Sequence, residues 1–212
     1  MNLKLVSALV AFGLVSAAPA MAVTLDFEGI PTSSDVNQFY NGGQDIGTPT
    51  VTGPNYGISF GPLAIVGTNE DPSAPLFNPD DARLGSGILA PAGAGATMNS
   101  TIGFSALSFL YSALSEGSVT VWSGLDGTGD ALYTFNLLAN AASDGVSALT
   151  HWDQLAAVFG TVGHSVTFGD VAGTAGFDNI AVSQVPLPAA AWLLMSGLGG
   201  LGGFARRRRR AA

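Results

Sequence analysis

Between residues 23 and 183, apolar residues never keep a helical spacing for more than one or two turns. Short segments in which apolar and polar residues alternate recur instead, and Gly, Pro, Asn and Asp separate them. In the segment 131–137, Tyr133, Phe135 and Leu137 share one face, as expected of a half-buried strand. Such strands at regular spacing predict an all-β sandwich or barrel.

The pattern predicts nine short strands and no internal repeat. They cover residues 23–28, 57–60, 63–66, 97–104, 107–111, 119–122, 131–137, 166–168 and 177–182. Long loops are predicted over 40–54 and 67–82, and at most one helical turn over 139–142. Gly supplies 23 of the 163 residues from 23 to 185, which fits many tight turns. We therefore expect one domain, 23–183, between terminal segments 1–22 and 184–212.

The charge is divided unevenly along the chain. Arg83 is the single Lys or Arg between 23 and 185, whereas all 15 Asp and Glu lie there, so this stretch carries a net charge of −14. One cation cannot neutralise a row of phosphates, which excludes nucleic acid as a partner of the domain. The absence of Cys excludes a disulfide framework and thiolate chemistry.

The N-terminal segment has the three parts of a secretory signal peptide. Lys4 precedes an apolar run over 5–17, and small residues follow, ending in a cleavage box formed by Ala20, Met21 and Ala22. The alternative is a membrane anchor, but the apolar run is short for a span. We expect cleavage before Val23 and export of the mature chain.

The C-terminal segment also has the features of a targeting signal. Val185, Pro186, Leu187 and Pro188 open it, and 187–204 is an uncharged run of 18 residues, about 27 Å as a helix and roughly a bilayer core. A basic cluster follows: Arg206, Arg207, Arg208, Arg209 and Arg210. By the positive-inside rule, these arginines predict a cytoplasmic C-terminus with the domain outside.

This order of proline motif, apolar helix and arginines resembles a PEP-CTERM sorting signal, in the variant with Leu187 where the commonest form has Glu. The resemblance implies processing by the membrane peptidase exosortase after transient anchoring in the inner membrane. It also implies a final place at the cell surface or in an exopolysaccharide matrix. A plain tail anchor is the alternative.

The domain itself resembles the β-sandwich of many PEP-CTERM proteins, which implies a jelly-roll-like fold. The resemblance rests on short motifs in a shared order: LDFEG at 25–29, FYNGG at 39–43, GPNYGISF at 53–60, SVTVW at 118–122 and GFDNI at 176–180. In carbohydrate-binding jelly rolls that this domain resembles, a structural calcium often ties the first strand to the last. The matching positions are Asp26, Glu28 and Asp178.

Oxygen ligands suit Ca²⁺, the usual extracellular choice, so these three carboxylates are the first candidate metal site. Asp126 with Asp130 is a second candidate, and the acids Glu70, Asp71, Asp80 and Asp81 are a third. Solvated loop acids are the alternative for each set.

Aromatic side chains are candidate sugar platforms, since sugar sites combine an aromatic face with polar groups. The candidates are Tyr40, Tyr56, Trp122 and Trp152. Core positions are the alternative for aromatics of a sandwich.

Two apparent catalytic signals have simpler explanations. Gly57 to Gly61 matches the nucleophile motif G-x-S-x-G around Ser59, but the motif requires a following helix, and Pro62 begins a turn instead. His151 and His164 have no partner at metal-ligand spacing. We therefore expect no enzymatic activity.

The sequence favours an exported, exosortase-processed surface or matrix protein with a structural or adhesive role. The alternative is a jelly-roll carbohydrate-binding module with structural calcium as its cofactor. The expected partners are exosortase, the secretion machinery and extracellular polysaccharide.

Overall fold

A computed structural model describes residues 21–43, 52–69, 76–77, 83–93, 95–141 and 147–184. The predicted signal peptide up to Ala20 and the predicted sorting signal from Val185 onward lie outside the described residues. So do the third set of acids and most of the two predicted long loops.

The described residues form nine strands and no helix, which confirms the all-β class. The strands are β1 (Ala22–Leu25), β2 (Ile58–Phe60), β3 (Ala64–Thr68), β4 (Gly87–Pro91), β5 (Thr97–Ala113), β6 (Gly117–Trp122), β7 (Ala131–Leu137), β8 (Asp153–Gly169) and β9 (Ala175–Gln184). In this part of the chain, no helix has the length and apolar character needed to cross a membrane.

The strands join one antiparallel sheet. Its order is β3-β4-β9-β5-β8-β6-β7, with β1 added to β9 and β2 added to β5. The two longest strands, β5 and β8, have 17 residues each and pair with each other in two stretches. The first half of β5 and the last part of β8 lie with β2, β6 and β7, whereas their other halves lie with β9.

The sheet folds over itself, so that its two halves pack as layers of a sandwich. Neighbouring strands lie about 4.8 Å apart, which would put β7 roughly 14 Å from β5 in a flat sheet. Instead, the rings of Phe109 on β5 and Phe135 on β7 have centroids 5.0 Å apart. Phe168 on β8 and Phe177 on β9 are two strand positions apart in the sheet, roughly 10 Å if it were flat, and their centroids lie 4.9 Å apart. These rings fill the space between the layers.

The fold-over takes place at a corner in the two long strands. The pairing of β5 with β8 shifts register between Asn99 and Phe104, and again between Phe104 and Ala106. Gly103 has a φ of 82°, a left-handed conformation that glycine adopts without steric cost. The sequence predicts two strands with a break after Phe104, and the structure shows one strand bent at that place.

The buried apolar side chains form two clusters. The larger lies between the layers, and the smaller packs Phe77, Ile88, Leu110, Leu149 and Trp152 together. All nine strands and both clusters belong to one compact unit, Ala20–Val185, which therefore contains the elements needed to fold by itself.

Candidate functional site

The structure brings the three predicted carboxylates to one edge of the domain. Asp26 and Glu28 directly follow β1, and Asp178 lies in β9, where Leu25 pairs with Ile180. Phe27 and Asn179 have φ values of 57° and 49°, so the backbone turns sharply beside each carboxylate. The pairing of β1 with β9 therefore brings the segment after β1 beside Asp178.

Glu28 is held by the segment before β4. Its carboxylate accepts hydrogen bonds from the backbone N–H groups of Ser86 (2.6 Å) and Gly87 (3.0 Å), and from the Ser86 hydroxyl. The sequence does not indicate this contact, because 58 residues separate Glu28 from Ser86. The turn from Gly85 to Gly87 thus supplies donors to the carboxylate cluster.

Asp178 is fully buried and stands beside two other acids. Burial, together with the negative charges of Glu28 and Asp26, raises the pKa of Asp178 from 3.8 to about 7. Backbone N–H groups of Asn179, at 2.6 Å, and of Gly85 oppose this rise by donating to the carboxylate. The Asp178 carboxyl therefore changes from protonated to ionised as the pH rises through about 7.

Tyr40 connects the cluster to the core. Its hydroxyl accepts a hydrogen bond from Phe27 N–H at 2.6 Å and lies 3.4 Å from Asp26 Oδ1, to which it can donate. Burial, followed by the nearby charge of Asp26, raises the pKa of Tyr40 above its usual range. The Tyr40 hydroxyl therefore stays neutral and links the Phe27 backbone to the Asp26 carboxylate.

The oxygens of Asp26, Glu28 and Asp178 are of the type that Ca²⁺ prefers. In this structure, however, N–H donors engage Glu28 and Asp178, and no group of three or more His, Asp or Glu in the described ranges is arranged to hold a metal ion. Calcium binding by the three carboxylates stays a prediction. In the second candidate set, Asp126 with Asp130, the Asp126 carboxylate accepts a hydrogen bond from Asn99 Nδ2 at 2.6 Å.

The four candidate sugar platforms fall into two groups. Tyr40 and Trp152 are core residues, each at most 2% exposed. Tyr56 is half-buried and stacks on Tyr40, with ring centroids 6.2 Å apart. Trp122 is also half-buried, and it is the one that lies among polar groups on a sheet surface.

Trp122 borders a row of threonines that crosses four strands. Thr97 on β5 pairs with Thr167 on β8, Thr167 pairs with Thr120 on β6, and Thr120 pairs with Thr134 on β7. Each of these threonines is at least partly exposed. The indole Nε1 donates to the Thr167 hydroxyl at 2.9 Å, and the hydroxyls of Thr120 and Thr134 lie 3.2 Å apart. We call Trp122 and these four threonines the polar face.

Alternation along the strands explains the polar face. In β6, Val119 and Val121 point into the core, so Ser118, Thr120 and Trp122 share the opposite side. The sequence motif SVTVW therefore carried the signal for this strand, whereas the lateral alignment of four threonines depends on register, which the sequence does not reveal.

The turn between β6 and β7 closes one end of the polar face. Asp126 N–H donates to the side chain of Asn99 at 2.8 Å, and Gly127 N–H donates to the hydroxyl of Ser165 at 2.9 Å. The Ser165 hydroxyl in turn donates to the carbonyl of Gly124 at 2.6 Å. These bonds fix the turn against β5 and β8, beside Trp122.

The apparent catalytic signals lie in ordinary strand surroundings. Ser59 is in β2, opposite Asn99, and the chain continues through a turn into β3 rather than into a helix. His151 is exposed, with Nε2 at 3.3 Å from Asp153 Oδ1. His164 lies within β8, with Nδ1 at 3.1 Å from the carbonyl oxygen of Ser100.

No known protein family and no curated protein matches this chain. Among solved structures, it is similar to a family 29 carbohydrate-binding module from Piromyces equi, with 10% identity over 79% of this chain and 93% of that one, at a TM-score of 0.39. It is similar to a family 6 carbohydrate-binding module, with 14% identity, 58% and 95% coverage, and a TM-score of 0.35. It is also similar to the K3 cleaved adhesin domain of Lys-gingipain from Porphyromonas gingivalis W83, with 18% identity, 76% and 97% coverage, and a TM-score of 0.32. Likenesses at these TM-scores carry no information on what this chain binds.

Proposed function

We propose that this chain is a non-catalytic module with a jelly-roll-like fold that binds a neutral polysaccharide on its polar face. The observation that carries the proposal is the row Thr97, Thr167, Thr120 and Thr134 beside the half-buried ring of Trp122. Hydroxyls both donate and accept hydrogen bonds, as sugar hydroxyls do, and an indole offers an apolar surface to a sugar ring. The strand ladder holds these groups in fixed positions, which lowers the entropic cost of binding.

The charge of the domain favours a neutral ligand over an anionic one. The stretch 23–185 carries a net charge of −14 with a single Arg, so a polyanion would be repelled over the whole surface. The polar face contains no Lys, Arg, Asp or Glu among its five residues. Recognition there therefore depends on hydrogen bonds and ring contact.

In the same proposal, the binding activity lies outside the cell. A signal peptide exports the chain, exosortase processes the segment that begins with Val185 to Pro188, and the released domain then adheres to polysaccharide of the surface or matrix. Cleavage before Val23 removes Ala22 from β1 but leaves the pairs that Val23, Thr24 and Leu25 make with β9. The mature domain thus keeps its first strand.

A binding panel with a paired variant tests the proposal. The unit 20–185 is titrated calorimetrically with neutral and anionic oligosaccharides, and Thr120→Val with Thr134→Val removes two hydroxyls while keeping the β-branched shape. Each lost hydrogen bond weakens binding by about 0.5–1.5 kcal/mol, so we expect the double variant to bind roughly tenfold more weakly.

Thr24→Val is the matched control, since Thr24 is an exposed threonine on β1, away from the polar face. It should bind like the unchanged domain, and all variants should keep its melting temperature. Absence of binding to every neutral glycan, or equal affinity of the double variant and the unchanged domain, overturns the proposal.

A further inference from the structure

One side of the first part of β8 has no strand partner among the described residues. Residues Asp153 to Val158 pair with β5 on one side, whereas the pairing of β8 with β6 involves only Ser165 to Gly169. In a strand, alternate residues direct N–H and C=O groups to each side, so this stretch presents backbone donors and acceptors that a further strand would satisfy. We call Asp153–Val158 the open edge.

Beyond Asp153 and Gln154, the side chains at the open edge are apolar, and those on its outer side are exposed. Val158 is 80% exposed, the largest exposure among the large hydrophobic residues of the described chain, and Ala156 is also exposed. Leu155 and Ala157, which point to the core side, are only half-buried. Lys, Pro and a covering segment are the means by which proteins usually prevent edge-to-edge pairing; residues 153–158 contain no Lys or Pro, and no described segment covers their open side.

The charge pattern favours a second copy of this chain as the partner strand. No charged residue occurs from Gln154 to Gly163, although the domain around it is strongly acidic. Opposed residues of an antiparallel pair lie on the same face of the sheet, so a two-fold axis passes through a residue paired with its own copy. With the axis at Ala156, Gln154 faces the other copy's Val158, and Asp153 faces the other copy's Phe159 and not its own counterpart. The pairing thus keeps the Asp153 carboxylates of the two copies from facing each other.

A comparison with β7 supports this choice. One side of β7 also has no partner in the described part of the chain, since β7 ends the strand order. Its outward side chains include Thr134 and Asn136, which are polar and belong to or border the polar face. Burying the apolar open edge of β8 is therefore more favourable than burying the polar edge of β7.

We infer that two copies of this chain associate through antiparallel pairing of their open edges, so that the sheet continues from one copy into the next. Six residues on each side make a small contact, so the association is weak and depends on concentration. The resulting dimer carries two polar faces, which would bind a polysaccharide chain more tightly than one by raising the effective concentration of the second site.

Sedimentation velocity of the unit 20–185 between about 10 µM and 1 mM tests the inference. We expect the sedimentation coefficient to rise toward that of a dimer with concentration. Val158→Lys places a charge at the exposed edge, where it does not disturb the core, and should raise the dissociation constant at least tenfold. Amide hydrogen exchange of Gln154 to Val158 should slow in the concentrated sample.

Thr134→Lys adds the same charge at the edge of β7 and should leave the association unchanged. A wild-type domain that stays monomeric at 1 mM overturns the inference. So does an association that Thr134→Lys abolishes and Val158→Lys leaves intact, because that result assigns the contact to β7. Neither experiment uses a glycan, so the proposed function can fail or succeed independently.

Discussion

Asp178 couples the stability of the fold to pH. It is fully buried, and burial together with the charges of Glu28 and Asp26 raises its pKa to about 7, so the folded chain binds its proton more tightly than the unfolded chain does. The stabilisation is complete below pH 4 and is lost as the pH rises through 7. Three pKa units correspond to at most about 4 kcal/mol.

We predict that Asp178→Asn flattens this dependence, because a neutral amide keeps the shape of the protonated carboxyl. Melting temperatures are measured from pH 4.5 to 8.5 in EDTA, with Asp170→Asn as the exposed control. The unchanged domain and the control should lose stability toward pH 8, and Asp178→Asn should lose less. A parallel decline in all three proteins would contradict the role assigned to Asp178.

Calcium provides a second prediction for the same residue. A cation bound by Asp26, Glu28 and Asp178 would favour the ionised form of Asp178 and restore the stability that is lost at high pH. We expect Ca²⁺ to raise the melting temperature at pH 8 and Asp178→Asn to remove that effect. Equal melting temperatures in EDTA and in millimolar Ca²⁺ would rule the calcium site out.

At the residue scale, sequence reasoning found part of this cluster. The motifs LDFEG and GFDNI led to Asp26, Glu28 and Asp178, which the fold brings to one edge. The donors that Ser86 and Gly87 supply to Glu28 were not predictable, because 58 residues separate Glu28 from Ser86. Trp122 was among the candidate platforms, whereas Tyr40 and Trp152 belong to the core.

At the scale of elements, strands with clear alternation were predictable and strands with small residues were not. The predictions for β6 and β7 agree with the structure within two residues. β4 was missed because Gly and Pro bound its short apolar run, and most of β8 was missed because Gly160 and Gly163 interrupt it. Tertiary pairing overrides these local signals.

The corner of β5 gives a prediction at this scale. A Cβ at Gly103 would lie 2.4 Å from Val162 Cγ1, and the residue has a φ of 82°, so Gly103→Ala should destabilise the domain by more than ~1 kcal/mol. Gly160 is the matched control in the same corner, since a Cβ there meets no atom within 4 Å. Urea unfolding checks both variants; equal midpoints for Gly103→Ala and Gly160→Ala would show that the corner is not strained.

At the scale of the whole molecule, the net charge of −8 averages an acidic domain with two basic ends. We predict that the form isolated from the surface or medium of its host begins near Val23 and lacks roughly the last 25 residues. Intact mass spectrometry measures both ends at once. A chain that still ends in Ala212 would contradict processing at Val185 to Pro188.

The central claim is that a neutral glycan contacts the polar face. Trp122 and Trp152 each carry an indole N–H, one beside Thr167 on that face and one buried in the smaller apolar cluster. In a ¹⁵N–¹H spectrum of the unit 20–185 titrated with a neutral oligosaccharide, we expect the Trp122 indole signal to shift to saturation while that of Trp152 stays in place. Saturable binding that leaves the Trp122 signal unmoved would contradict the claim.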